Sequence, residues 1–495
     1  MIAAACPPLF RRLAGSCVAL GMVLALAGCS GGDDGSFDVV FMEDEAVLTD
    51  SGVRLSPGAQ HVRAATRAGL VAINAQGEVV PALADRWNVI ENGSIFVFRL
   101  RDGTWPNGEE LTAPSVRDAL QRAIRSLRGT SLGLDLVPVD EVRAMAGRVV
   151  EVRLASPMPD LLQVLGQPEL GLVHGEGETG PMVLERDGEN ILLTMRPPAE
   201  RGLPDSEDWR DYVREVRVTG LEPAQAIERF DDGDVEVVLG GRLGSLPLAD
   251  LGPLSRGTVR LDPAIGLFGL RARRERGALA TPELREALAM AIDRPALASA
   301  FNVGGWVPST RVVAPDLPAD PGMVAERWQG SSVEDLRRVA AGRLAGLTGQ
   351  DKRLTLAIGD APGEQLLLRE LARQFATVGI TLVQARSSEG ADMVLVDRVA
   401  RYASPRWFLN QFNCILDDGL CSLEADRLAS RALDERDSAL RARLMGEAEA
   451  ALTRANVYIP FGPPLRWSLV RGEVDGFAPN LWAFHPLPDM AVIPR

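Results

Sequence analysis

The feature that most constrains the fold is a strand–helix–strand pattern in residues 354–396. It predicts, in chain order, a strand at Leu354–Ile358, a helix at Gly363–Val378, and strands at Ile380–Val383 and Met393–Val396. Within the helix, Leu367, Leu371 and Phe375 recur at four-residue spacing, and Gly379 suits its C-terminal stop. A unit of this length brings its strands together in parallel, so the chain is predicted to be α/β with mixed α+β character.

Further strands and amphipathic helices are predicted along the chain. They are strands at Phe37–Phe41 and Ser94–Leu100, and helices over 113–127, from about Glu283, and after Asp293. Thr112 and Asp293 are suited to cap the helices that follow them. Because 495 residues are too many for one ordinary core, two or three lobes are expected.

The N-terminus carries an export signal. Arg11 and Arg12 precede an apolar run, Leu13–Ala27, that is too short to be a good membrane span. The run ends in Leu26-Ala27-Gly28-Cys29, which resembles a bacterial lipobox and predicts a signal peptide over 1–28 and lipidation of Cys29. The polar residues 29–36 are then interpreted as a flexible tether. The alternative is a plain signal peptide cut at another position.

The cysteines that remain after export predict a disulfide. Cys6 and Cys17 leave with the signal peptide and Cys29 is lipidated, so Cys414 and Cys421 are left over. In an exported protein such a pair is typical of a disulfide that closes a short loop. Two free thiols are the alternative. A metal site is not expected, because no histidine lies near them and zinc needs three or four ligands.

Composition and residue types exclude several functions. The formal net charge of −14 argues against nucleic acid as a partner, because phosphate binding needs a basic surface. The only lysine, Lys352, follows Asp351, so the Gly-Lys-Ser/Thr sequence of a P-loop is absent. His61, His174 and His485 are widely separated, and no cofactor is expected.

Two motifs receive a structural interpretation. Gly129–Gly133 matches the nucleophile elbow Gly-x-Ser-x-Gly around Ser131, which needs a strand before it and a helix after it. Here a helix precedes the motif and Leu134–Val137 is predicted to be extended, so the chain is not expected to be an enzyme. The pair Asp417-Asp418, followed by Gly419, is interpreted as a solvated turn.

Six stretches carry a pattern that is specific in its order. They are Gly69–Val71 with Gly77–Trp87, Phe96–Gly108 followed by Leu111–Ala113, Thr179–Pro181, Leu284–Arg294, Tyr458–Pro460 and Val474–Phe477. In this order they resemble the family 5 extracellular solute-binding proteins, which are the oligopeptide-, dipeptide- and nickel-binding receptors of ABC importers. Glu178 and Met182 depart from the family pattern on either side of the third stretch.

The resemblance implies a two-lobe periplasmic binding protein fold of the large class C type, with the ligand cleft between lobes that close by a hinge motion. Lobe I is expected over 37–264, with 471–495 returning to it, and lobe II over 265–470. The implied partners are a peptide or anionic small solute and the permease and ATPase subunits of an ABC transporter. A monomer is expected, held on the periplasmic face of the envelope by its lipid. The expected function is capture of a peptide or related small solute for import, and the alternative is a non-transport protein with a lost or altered ligand site.

The expected ligand site departs from the family. Where the peptide receptors carry an aspartate that pairs with the peptide's amino group, this chain has Arg401, and Arg398 stands at the family's tryptophan position. Arg401, Arg398, Tyr402 and Trp407 are assigned to the ligand site. One hypothesis is that Arg401 faces a carboxylate or phosphate of the ligand. The alternative is that Arg401 pairs with an internal acid such as Asp397, and that the cleft is occluded or has lost its ligand.

Overall fold

The computed structural model of the chain describes residues 36–187, 190–249 and 257–493. The predicted signal peptide, Cys29 and the tether up to residue 35 lie outside the described residues. Within the described ranges, the helices are too short or too polar to cross a membrane.

The strands belong to four sheets. In chain order they are β1 (Ser36–Phe41), β2 (Val71–Ile73), β3 (Val79–Pro81), β4 (Ala84–Ile90), β5 (Ile95–Leu100), β6 (Val139–Met145), β7 (Val149–Leu154), β8 (Met182–Asp187), β9 (Asn190–Met195), β10 (Glu215–Gly220), β11 (Val237–Arg242), β12 (Val259–Leu261), β13 (Gly266–Ala272), β14 (Arg353–Ala357), β15 (Thr381–Gln384), β16 (Met393–Val399), β17 (Tyr458–Gly462) and β18 (Arg466–Val470).

The α-helices range from one turn to five turns. In chain order they are α1 (Glu45–Leu48), α2 (Pro57–Thr66), α3 (Ala113–Ser126), α4 (Ser131–Asp135), α5 (Leu161–Leu165), α6 (Pro223–Asp232), α7 (Pro282–Ala291), α8 (Arg294–Phe301), α9 (Val333–Leu344), α10 (Pro362–Ala376), α11 (Pro405–Asn410), α12 (Leu423–Asp434), α13 (Ser438–Ala455) and α14 (Leu487–Met490).

Two large sheets form the centres of two lobes. The first lobe contains the seven-stranded sheet, in the order β12-β18-β11-β1-β10-β9-β8, together with the four-stranded sheet β4-β5-β7-β6. The second lobe contains the five-stranded sheet β15-β14-β16-β13-β17. The strand–helix–strand prediction is confirmed, since β14 and β15 are parallel neighbours with α10 between them in the chain.

The chain crosses between the two large sheets at two places. It leaves the seven-stranded sheet after β12 and enters the five-stranded sheet at β13, and it returns between β17 and β18. Because β18 pairs with β11 and β12, residues 466–470 belong to the first lobe's sheet, ahead of the return predicted at residue 471. The exact lobe boundaries stay a prediction.

The predicted helix caps occur where the sequence places them. The Thr112 side chain accepts a hydrogen bond from the Ser115 backbone N–H at 3.3 Å, and the Asp293 side chain accepts one from the Ala296 N–H at 3.0 Å. Beyond α10, Gly379 adopts a φ of +79°, a conformation that glycine accepts without strain. These caps fix the starts of α3 and α8 and the end of the helix between β14 and β15.

Three apolar cores are formed by the described residues of the unit Phe37–Arg495. One lies on the outer face of the seven-stranded sheet around β1, β8–β10, α2 and α14. A second joins the other face of that sheet to the five-stranded sheet, α7 and α10. The third joins the four-stranded sheet and α3 to α11–α13 of the second lobe. Two of the three cores therefore contain residues of both lobes and connect them.

Candidate ligand cleft

A cavity of about 740 Å³ is lined by both lobes, and we call it the cleft. The first lobe contributes, among others, Gln60, Gln167, Glu169, Gly240–Arg242 and Trp467, and the second contributes Asp397–Arg401, Trp407, Gln411, Asp417 and Asp418. The volume is within the range of pockets that bind small molecules. A neighbouring cavity of about 690 Å³ shares Gly240, Arg242, Asp397, Arg398, Gln411 and Asp418 with it.

Arg401 lines the cleft but its guanidinium is already bonded within the protein. Nη2 lies 2.8 Å from Oε1 of Glu169, and Nη1 donates to Oε1 of Gln60 at 2.8 Å and of Gln167 at 3.1 Å. All three partners belong to the first lobe, so Arg401 ties the second lobe to the first. Arg401 therefore pairs with an internal acid, as one alternative held, but that acid is Glu169 and not Asp397.

Asp397 pairs instead with Arg466, the first residue of β18. Nη1 of Arg466 lies 2.7 Å from Oδ1 of Asp397, and both side chains are largely buried. Since Asp397 is in β16 and Arg466 is in β18, this pair also joins the two lobes, next to the point where the chain returns to the first. A cavity remains beside both ion pairs, so the expected occlusion of the cleft does not occur.

Arg398 faces both cavities and keeps nearly half of its side chain exposed. Its Nη1 donates to Oε1 of Gln411 at 3.2 Å, and its Nη2 lies 3.6 Å from Oδ2 of Asp418. The same oxygen of Asp418 is 3.3 Å from Nη1 of the buried Arg271. Asp418 thus lines the cleft and contacts two arginines, while it lies in a bend and keeps 43% of its side chain exposed, in agreement with a solvated turn.

Tyr402 is fully buried behind the cleft and does not line it. Its hydroxyl donates to Oδ1 of Asp135 at 2.8 Å, and Nδ2 of Asn410 donates to the same oxygen at 2.7 Å. Burial raises the pKa of Asp135 to about 6, although the charge of Arg406 and these two hydrogen bonds lower it. Tyr402 therefore positions the lobes, whereas Trp407, also buried, does line the cleft.

The serine of the elbow-like motif lies at the cleft, but its surroundings are not those of a nucleophile. A helix, α3, precedes the motif, and Ser131 opens α4, so the prediction of an extended segment directly after it is wrong. His61 lines the same cleft with both ring nitrogens engaged, at 2.6 Å from the Pro57 carbonyl oxygen and 3.0 Å from the His485 backbone N–H. Burial lowers the pKa of His61 to about 3, so this imidazole is neutral.

Cys414 and Cys421 form a disulfide, with 5.2 Å between their Cα atoms. The bond closes the loop that presents Asp417 and Asp418 to the cleft. Over residues 36–187, 190–249 and 257–493, no three His, Cys, Asp or Glu side chains are grouped as a metal site would require.

Several residues of the cleft could not be identified from the sequence. Glu169, Gln167 and Asp135 stand in segments without a distinctive pattern, and only the fold brings them to the second lobe. Arg242 had a usable signal, because it ends the apolar strand β11 directly after Gly240 and Gly241. A glycine pair at a strand end is typical of a bulge or a close backbone approach.

A comparison with known protein families decides the identity of this fold. The sequence pattern of the bacterial extracellular solute-binding proteins, family 5 Middle, matches residues 78–414. The chain belongs to this family. Family 5 proteins bind solutes and are not enzymes, and they are periplasmic or extracellular.

Curated relatives of this family 5 protein are distant. A probable deoxycholate-binding periplasmic protein of Escherichia coli is 24% identical over 282 residues, which is 50% of this chain and 51% of the relative. The chain thus spans about half the length of that relative. The dipeptide-binding protein of Bacillus subtilis is 22% identical over 519 residues, covering 91% of this chain and 93% of the relative.

A solved structure shows the same two-lobe fold. The murein tripeptide binding protein of Escherichia coli superposes with a TM-score of 0.78 at 18% sequence identity, covering 93% of this chain and 99% of that one. The predicted fold class, a two-lobe α/β binding protein, is confirmed.

Proposed function

We propose that this family 5 protein is the receptor of an ABC importer and captures a peptide or related small solute in the cleft. The observation that carries the proposal is the cleft itself, a cavity of about 740 Å³ lined by both lobes of a binding-protein fold. Curated and structural relatives named for dipeptide and murein tripeptide binding support the peptide-like size of the solute. Cys29 would hold the receptor to the membrane by its lipid, and the permease and ATPase would receive the solute.

The amino group of a peptide is not expected to be the anchor in this protein. By the family resemblance that contact falls at Arg401, which offers an ammonium no anionic partner. Its bonds to Glu169 and Gln167 hold the guanidinium in place and pair its charge within the protein. A solute with a blocked or absent amino group is therefore compatible with this cleft.

The test is a thermal-shift screen on residues 37–495 with dipeptide, tripeptide and organic-acid libraries. Ser131→Trp fills the cleft from the first residue of α4, and Ser438→Trp is the matched control at the first residue of α13, where the side chain is exposed. We expect at least one solute to raise the melting temperature of the native protein and of the control, and not that of Ser131→Trp. Equal shifts in all three proteins, or no shift with any library, would contradict capture in the cleft.

A further inference from the structure

Arg242 is held in place by its backbone while its side chain reaches the cleft. It is the last residue of β11, whose pairing with β18 shifts register between Val238 and Gly241. The Arg242 N–H donates to Oγ of Ser245 at 3.2 Å, and its carbonyl accepts from Nε1 of Trp467 at 2.9 Å. Strand irregularities of this kind re-aim side chains next to binding sites.

The Arg242 guanidinium has no hydrogen bond or ion pair within the part of the chain that the structure describes, whereas other cleft arginines are bonded. Arg401 binds Glu169, Arg466 binds Asp397, and Arg398 contacts Gln411 and Asp418. Arg54 also lines the cleft without a partner in the described residues, but it is exposed and water solvates it. Arg242 is only partly exposed, so among the cleft arginines of the described residues its charge is the least compensated.

The neighbouring acids do not supply the missing partner. Burial lowers the pKa of Arg242, and repulsion from Arg466 lowers it further, while Asp397, Glu43 and Glu364 act in the opposite direction. Each of these carboxylates already accepts another hydrogen bond: Asp397 from Arg466, Glu43 from the Gly58 N–H, and Glu364 from the Ala361 N–H. A partly buried cation without a bonded anion is costly unless a ligand provides one.

Arg242 also lies in a position suited to binding an anionic group of the solute. It lines both the cleft and the neighbouring cavity, and Arg398, the other cation at this junction, is only loosely paired with Asp418. An anion held where the two cavities meet would lie within reach of the Arg242 guanidinium. Its planar pair of N–H donors matches the geometry of a carboxylate. The rest of the solute could then extend along either cavity.

We propose that Arg242 binds a carboxylate of the captured solute, and that this carboxylate, not an amino group, is what the cleft recognises. The inference rests on the proposed function, because it names the solute class of the same site. The carboxylate can come from the C-terminus of a short peptide or from a free organic acid.

Equilibrium dialysis of residues 37–495 against defined mixtures tests the inference. The mixtures are random tripeptides with a free C-terminus, the same tripeptides as C-terminal amides, the same tripeptides with an acetylated N-terminus, and succinate, glutarate and citrate together. We expect the amides to be retained at least tenfold less than the free tripeptides and the acetylated peptides to be retained as well as the free ones. Retention of the organic acids in place of the tripeptides would identify the other source of the same carboxylate.

Variants of Arg242 test whether this residue is responsible for retaining the solutes. Arg242→Gln is expected to lower retention of the carboxylate-bearing solutes at least tenfold and Arg242→Lys to keep part of it, because a lysine retains the charge but not the fork. Arg125→Gln is the control, since Arg125 is an exposed α3 arginine outside the cleft. Unchanged melting curves would show that the variants fold.

Equal retention of amides and acids, undiminished retention by Arg242→Gln, or no retention of any mixture would overturn the inference. The first two results would leave the proposed function standing, because a solute would still be bound. The thermal-shift screen with Ser131→Trp decides the function itself, so the two failures are distinguishable.

Discussion

Arg401 of the second lobe and Glu169 of the first are joined by a salt bridge of 2.8 Å at the wall of the cleft. The acid is almost completely buried, with 5% of its side chain exposed, whereas Arg401 keeps 25%. In the peptide receptors that the sequence resembles, this position carries an aspartate that pairs with the peptide. Here Arg401 contributes to holding the lobes together.

Arg401→Ala is expected to destabilise the protein by about 2 kcal/mol. The substitution leaves the Glu169 carboxylate buried without its cation, and we place the cost below that of a fully buried pair because Arg401 is partly exposed. The measurement is the free energy of unfolding in urea. The control is Arg117→Ala, which removes an exposed ion pair with Asp118 and is expected to change stability by less than about 0.5 kcal/mol. Equal effects of the two substitutions would contradict the structural role of Arg401.

Asp135→Asn is expected to alter how stability depends on pH. The folded pKa of Asp135, raised by burial to about 6, exceeds its ordinary value of 3.8. Between these values the folded protein binds a proton that the unfolded chain does not, so the native protein gains stability as pH falls from 7 towards 4. The gain from this residue amounts to about 3 kcal/mol.

The asparagine variant lacks this contribution, but Asp160, whose pKa burial also raises to about 6, still titrates. We therefore expect the unfolding free energy of the variant minus that of the native protein to decrease as pH falls from 7 to 5. Urea titrations at pH 7, 6 and 5 measure it. A difference that stays constant over these three values would show that Asp135 does not titrate in this window.

Local sequence patterns predict much of the fold, but they do not predict which residues meet at the cleft. The apolar periodicity and caps of β14–α10–β15 and of α3 are local, so they were predicted within a few residues. The partners of Arg401 lie more than 230 residues away in the chain, and no local pattern distinguishes Glu169 from other acids. The short helix α4 is not predicted because its five residues, Ser131–Asp135, are too few to show a helical period. β18 pairs with β11 and β12, which precede it by some 200 residues, so no local pattern predicts its place in the seven-stranded sheet.

Replacing both Cys414 and Cys421 with serine is expected to cost about 2.5 kcal/mol. The bond closes a short loop, with a sequence separation of seven, and removing it restores chain entropy to the unfolded state. The double variant and the native protein should be compared in urea with and without a reducing agent. The reductant should destabilise only the native protein. Equal sensitivity of both proteins would mean that the reductant acts elsewhere.

Gly241→Ala is expected to destabilise the protein by about 2 kcal/mol, because its new Cβ would overlap the ring and the carbonyl oxygen of Trp467. The Trp467 indole holds the Arg242 carbonyl, so the tryptophan fluorescence should change as well. Gly342→Ala, in the exposed last turn of α9 with open space around it, is the control and should be neutral or stabilise by up to about 1 kcal/mol. If Gly241→Ala changed neither the stability nor the fluorescence, the close approach of Gly241 to Trp467 would not be needed to position Arg242.

The most direct test of the receptor's central property is native mass spectrometry of residues 37–495, purified without unfolding. We predict a bound mass of peptide or organic-acid size on a fraction of the molecules, which is lost on unfolding and reduced in Ser131→Trp. A bare protein mass that also gains nothing on incubation with peptide and organic-acid libraries would contradict a working cleft.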